Sequence, residues 1–127
     1  MSHWTTLDRV TSVEPGKRAT AMRNVPNTLA IFETHFPRFP VLPGVLILGT
    51  LGELAAHLLE QESGGAWRLK GAERVAFRRF VQPGDQLELS VELIDRSAEE
   101  ATLSGQVTVD GTLVTRARRL HAVRVES

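Results

Sequence analysis

Of the side chains able to move a proton near neutral pH, His35 stands in the most suggestive setting. It lies in a stretch from Pro26 to Pro43 that carries prolines at 26, 37, 40 and 43. An imidazole titrates near pH ~6.5 when unperturbed, and a chain stiffened by proline can hold it in one place, so His35 is a candidate general base. Gly44 follows Pro43 where a helix should begin. Its N–H would then be one of the unpaired donors at the positive end of the helix dipole. With no side chain in the way, a substrate oxygen can come close to that backbone. Glu53 lies further along the same segment and adds a carboxyl group. A base, a fixed donor and an acid suit the removal of a proton beside a carbonyl whose oxygen gains charge.

Composition narrows the alternatives. The chain has 127 residues and 42% hydrophobic content, enough for one compact domain over 1–127. Its 15 basic and 15 acidic residues cancel, which argues against a nucleic-acid partner. Thirteen of the basic residues are Arg and two, Lys17 and Lys70, are Lys, so a local anion-binding patch remains open. The absence of cysteine excludes disulfides, thiolate nucleophiles and Cys-type zinc sites. The four histidines show no metal-ligand spacing, and His121 has no visible partner on the final strand. The segment Met1–Thr6 lacks a charged stretch followed by an apolar run, and Val41–Leu48 is too short to span a bilayer, so a cytoplasmic protein with no membrane partner is expected.

The elements that would position these residues are readable from periodicity. Leu7–Glu14 and Lys17–Val25 read as strands around the Pro15-Gly16 turn, and Pro26–Pro43 as a kinked loop. Gly44 to about Glu62 reads as a helix, apolar on most of its surface and so buried. Trp67–Val81 reads as a strand leading to the Pro83-Gly84-Asp85 turn. Leu87, Leu89, Val91 and Leu93 alternate with polar residues, and Leu103, Gly105, Val107 and Val109 continue the pattern. Asp110-Gly111 is a two-residue hairpin signal into a last strand, Thr112–Val125. One apolar helix among five or six antiparallel strands makes an α+β domain whose sheet wraps the helix. The sheet's remaining edges favour a dimer.

The segment His35-Phe36-Pro37-Arg38-Phe39-Pro40-Val41-Leu42-Pro43-Gly44-Val45-Leu46-Ile47 resembles the active-site loop and helix entrance of FabZ/FabA-type β-hydroxyacyl-acyl-carrier-protein dehydratases. Asp8-Arg9-Val10, Glu14-Pro15-Gly16-Lys17-Arg18, Phe77-Arg78-Arg79, Val81, Pro83-Gly84-Asp85-Gln86-Leu87 and the closing Val109-Asp110-Gly111 are similar to that family in the same order, so the likeness spans roughly residues 7 to 125. The resemblance implies a hotdog fold and a two-fold dimer with sites at the subunit interface. The implied reaction is loss of water from a (3R)-hydroxyacyl thioester on acyl carrier protein, giving the trans-2-enoyl thioester in fatty-acid or polyketide-type assembly. It requires no cofactor and no metal. His35 would be the base and the Gly44 N–H the oxyanion donor, with Phe36, Pro43, Val45, Gly49, Arg78 and Arg79 lining the substrate path. Acidic carrier proteins call for a basic rim, for which Arg38, Arg78, Arg79, Lys17 and Lys70 are candidates.

One departure bears on the chemistry. The family places a Glu or Asp fourteen residues after the histidine, where this chain has Gly49. Glu53 is the nearest acid on that helix face, one turn and about 5–6 Å further along. Either Glu53 or a water replaces the missing acid, or Glu53 only packs, paired with His57 or an Arg. Thr34 also replaces the glycine usual before the histidine. Besides a complete dehydratase, a half-catalytic subunit completed by a homologous hotdog chain and an acyl-thioester hydrolase stay open.

Overall fold

The apolar run after Pro43 forms helix α1 (Gly44–Ser63), one residue longer than its periodicity predicts. It buries Ile47, Leu51, Leu54, Ala55, Leu58 and Leu59 to within 2% of complete exclusion from water. Each such leucine contributes roughly 2 kcal/mol of transfer free energy. The computed structural model describes residues 7–25 and 44–125, apart from the side chains of Val45 and Ser63. Within them α1 touches all six strands: β1 (Arg9–Glu14), β2 (Arg18–Asn24), β3 (Ala66–Phe77), β4 (Gln86–Arg96), β5 (Glu100–Val109) and β6 (Thr112–Val125).

The strands form one antiparallel sheet in the order β1-β2-β4-β5-β6-β3. Period-two patterning sets which face meets the helix. Leu87, Leu89 and Val91 of β4 are buried, as are Ala101, Leu103, Val107 and Val109 of β5. Asp110 and Gly111 both adopt positive φ, at 51° and 78°, the conformation a two-residue hairpin of this hand requires. The Pro83-Gly84-Asp85 turn is tied to the end of β2, with Val25 N–H donating to the Asp85 carbonyl and Gly84 N–H to the Val25 carbonyl.

The edges of the sheet differ from expectation in one place. The strand predicted to reach Val81 stops at Phe77, and Val81 alone of the following residues returns to the core. Phe77-Arg78-Arg79-Phe80 has no alternation to seat it on the sheet. Arg78 N–H donates to the Val114 carbonyl as the last rung, and Phe77 and Phe80 stand 50% and 68% exposed. At the opposite end of the helix, the guanidinium groups of Arg96 and Arg124 lie over the Trp67 ring, 5.6 and 5.0 Å from its centre. Arg96 also pairs with Glu62 of α1, so the clamp ties the helix C-terminus to three strands. The dense arginines of β6 thus divide: Arg124 serves this clamp, while Arg116, Arg118 and Arg119 remain exposed.

The two glycines inside α1 have opposite surroundings. A Cβ on Gly52 would lie 3.0 Å from the Leu69 Cβ, so β3 closes on the helix where the side chain is missing. A Cβ on Gly49 would meet nothing within 4 Å among the described residues. Replacing Gly49 with alanine should therefore raise the unfolding free energy by up to about 1 kcal/mol through helix propensity. Alanine at Gly52 should lower it by about 1–3 kcal/mol through overpacking. Denaturant titration of the two variants checks the opposed signs.

Candidate functional site

Gly44 is the first residue of α1, so its N–H has no partner within the helix, and no acidic side chain occupies the first turn to neutralise the positive end. Among the described residues, the group that comes close to Gly44 is a side chain of this chain. An added Cβ would fall 2.7 and 2.8 Å from Cζ and Cε1 of Phe77, so the ring at the end of β3 packs over the helix entrance. Phe77 thereby brings the neighbouring Arg78 and Arg79, both exposed, to the same end of the molecule as Gly44. His35, Phe36 and Pro43 lie outside the described residues, as does the side chain of Val45.

Gly49 is exposed on α1, and Glu53, four residues later, is partly buried on the same stripe. The group that defines the polar character of this part of the helix was not among the sequence candidates. Arg23 of β2 is only 6% exposed and donates from Nη1 to the Thr50 hydroxyl at 3.1 Å. That hydroxyl in turn donates to the Leu46 carbonyl at 3.0 Å. Burial pushes the Arg23 guanidinium below its ordinary value, and the carboxylates of Asp8 and Glu53 push it back up. An arginine was the partner expected for a packing Glu53, but Arg23 itself carries no periodic signal, because its strand alternates weakly between small and polar residues. The Asp8 carboxylate also accepts the Asn24 N–H at 2.6 Å, fixing the end of β2 from which Arg23 projects.

Elsewhere the structure corrects one detail. His121, seemingly alone on the last strand, has its Nε2 2.5 Å from Glu73 Oε2 of the adjoining β3. Among the described residues no group of three or more His, Asp or Glu side chains could hold a metal. A groove of about 500 Å³ crosses the outer face of the sheet, lined by Arg18, Ser90, Glu92, Gln106 and Arg116 among others; it includes neither Gly44 nor Glu53. No helix among the described residues is long and apolar enough to cross a membrane.

Comparison with known proteins gives this arrangement its context. Residues 11–115 match the ApeI-like family, described as ApeI dehydratase. The chain is 37% identical over 121 residues to the 3-hydroxyacyl-[acyl-carrier-protein] dehydratase FabZ of Oceanobacillus iheyensis, covering 93% of this chain and 86% of the relative. It is 40% identical over 111 residues to the enzyme of the same name from Bacillus subtilis, covering 85% and 79%. Among solved structures, the dehydratase heterocomplex ApeI:P from Xenorhabdus doucetiae superposes with a TM-score of 0.81 at 16% identity, covering all of this chain and 88% of the other; at that identity it speaks for the fold alone. The fold is the hotdog, and the chain belongs to the ApeI-like dehydratase family.

Proposed function

We propose that this protein removes water from a 3-hydroxyacyl thioester carried on the phosphopantetheine arm of acyl carrier protein, leaving the trans-2-enoyl thioester in fatty-acid or polyketide-type assembly. The observation that carries the reading is the entrance of α1, a glycine N–H at a helix N-terminus with no acidic residue in its first turn, at the same end of the molecule as an exposed arginine pair. An N–H so placed stabilises the negative charge that gathers on the thioester oxygen when the adjacent C2 proton leaves. His35, in the His-Phe-Pro segment, takes that proton. Glu53, midway along α1, or a water beside it gives the departing 3-hydroxyl the proton it needs to leave as water. Phe36, Pro43, Val45 and Gly49 border the acyl chain, and no cofactor or metal takes part.

Arg78 and Arg79 face the acidic carrier protein, and the exposed Phe77 and Phe80 give that contact an apolar centre. The long β3 strand ends the sheet, and pairing of that edge with a second hotdog chain would cover it. The cytoplasm, where carrier protein would be met, is the proposed compartment. A second reading has its own support. With open space at Gly49 where the FabZ/FabA pattern has a carboxylate, the chain is also suited to be half of a hetero-oligomer whose partner supplies the acid.

His35→Ala should cut dehydration by about 10²–10⁴-fold, the usual contribution of a positioned base, while the circular dichroism spectrum stays native. Undiminished turnover in that variant would overturn the assignment. Reversing both charges, Arg78→Glu with Arg79→Glu, should raise KM for carrier-bound substrate and leave turnover of a short pantetheine thioester unaltered. The difference should shrink as salt is raised, because rim charges act through screened attraction.

A further inference from the structure

Among the described residues two buried side-chain polar atoms have no hydrogen-bond partner, Trp67 Nε1 and Thr115 Oγ1. A buried donor left unpaired is destabilising, so each calls for a physical reason. The indole N–H comes with the ring that Arg96 and Arg124 cover, and Trp offers a cation the best aromatic face. Thr115, fully excluded from water, has no such reason. Valine has nearly its shape, suits a strand as well and brings no hydroxyl to satisfy. The other fully buried threonine, Thr50, shows the ordinary solution: its hydroxyl accepts from Arg23 and donates to the Leu46 carbonyl.

The place of Thr115 supplies a reason. It stands in β6 between Val107 of β5 and Phe77 of β3. Directly opposed residues of antiparallel strands point to the same face, with Cβ atoms about 4.5–5.5 Å apart. Val107 lies in the core and the Phe77 ring lies against Gly44, so Thr115 faces α1 near its first turn. The same face runs on to Gly105, where an added Cβ would meet Leu51, two turns further along the helix. An unpaired hydroxyl thus stands at the end of α1 where the Gly44 N–H has no partner within the helix. The positive pole there favours an acceptor that carries negative charge. An oxygen that reaches Gly44 must displace the Phe77 ring, which is half exposed, and Thr115 is the residue paired beside that ring.

We infer that Thr115 is a second donor to the thioester carbonyl oxygen, beside the Gly44 N–H, and that its hydroxyl is unpaired in the free protein because its partner is the substrate. The inference rests on the dehydration reading and deepens it. Thr115 holds the oxygen on which charge gathers and transfers no proton. The C2 proton still goes to His35, and the departing hydroxyl is still protonated by Glu53 or a water beside it.

Thr115→Val and Thr115→Ser test this in the full chain, with thermal unfolding, kinetics and the infrared spectrum of a bound thioester as readouts. Thr115→Val should melt at or above the wild-type temperature, since it removes an unsatisfied group, yet lose about 10²–10³-fold in kcat, the cost of one oxyanion donor. KM should change far less than kcat, because the bond strengthens as charge develops. Thr115→Ser keeps the hydroxyl and should stay within about tenfold of wild type. The infrared probe is a butyryl thioester on acyl carrier protein, labelled with carbon-13 at its carbonyl and lacking a 3-hydroxyl. Its C=O stretch should lie at lower wavenumber on the wild type than on Thr115→Val. Wild-type kcat in Thr115→Val would overturn the inference, as would a C=O stretch that is the same on both proteins. A loss of kcat without that spectral difference would assign the hydroxyl to the 3-hydroxyl of the substrate, and would overturn it too. If the wild type does not dehydrate, the dehydration reading fails by itself, and the spectra still decide whether Thr115 meets a thioester carbonyl. Should Thr115→Val fold poorly, Thr115→Ala removes the same hydroxyl and is read in the same way.

Discussion

A twenty-residue helix that is apolar over most of its surface cannot stay in water, and nearly everything else in this molecule follows from covering it. The six strands present their apolar faces to α1, and the leucines of the helix fill the space between. What covering the sides cannot do is satisfy the first turn of the helix. Its N–H groups have no partners within the helix, with Gly44 foremost and no acidic residue in the first turn itself. The chemistry follows from that constraint. A helix N-terminus with no acidic side chain in its first turn is a positive pole, the kind of setting that suits the proposed oxyanion contact.

The same packing explains why glycine appears where a helix would ordinarily refuse it. Gly52 lets Leu69 reach the helix, and without that approach β3 would stand off and leave a gap beside α1. Gly49 has no such duty, since its missing side chain leaves open space. Between the two, Thr50 turns inward, and its hydroxyl accepts from the buried Arg23. So one turn of helix carries a packing contact, an open space and a buried cation, each set by a different side of the helix.

Much of this was legible before any coordinates. The alternation of β4 and β5, the Asp110-Gly111 turn and the extent of α1 follow from period and turn chemistry, because each depends on residues close in sequence. The end of β3 was not, since Phe77-Arg78-Arg79-Phe80 has strand-forming residues and only the lack of a rung beyond Arg78 stops it. Arg23 escaped notice for a related reason. An arginine on a strand of alternating small and polar residues reads as solvated, and its burial depends on Thr50, 27 residues away. His121 and Glu73, 48 residues apart, meet only because β6 returns beside β3. Long-range polar pairs leave no local pattern, whereas apolar faces do. At the candidate site, Gly44 and the arginine pair were legible through the family resemblance, while the ring of Phe77 that joins them became visible only in three dimensions.

The central claim is that this chain dehydrates carrier-bound substrate although position 49 bears no carboxylate. The direct measurement incubates the purified protein alone with a 3-hydroxyacyl thioester on acyl carrier protein and follows the intact mass of the carrier. Loss of the mass of one water, with the thioester retained, is the predicted result. A folded protein that leaves the mass unchanged, or that releases the free carrier thiol, would contradict it.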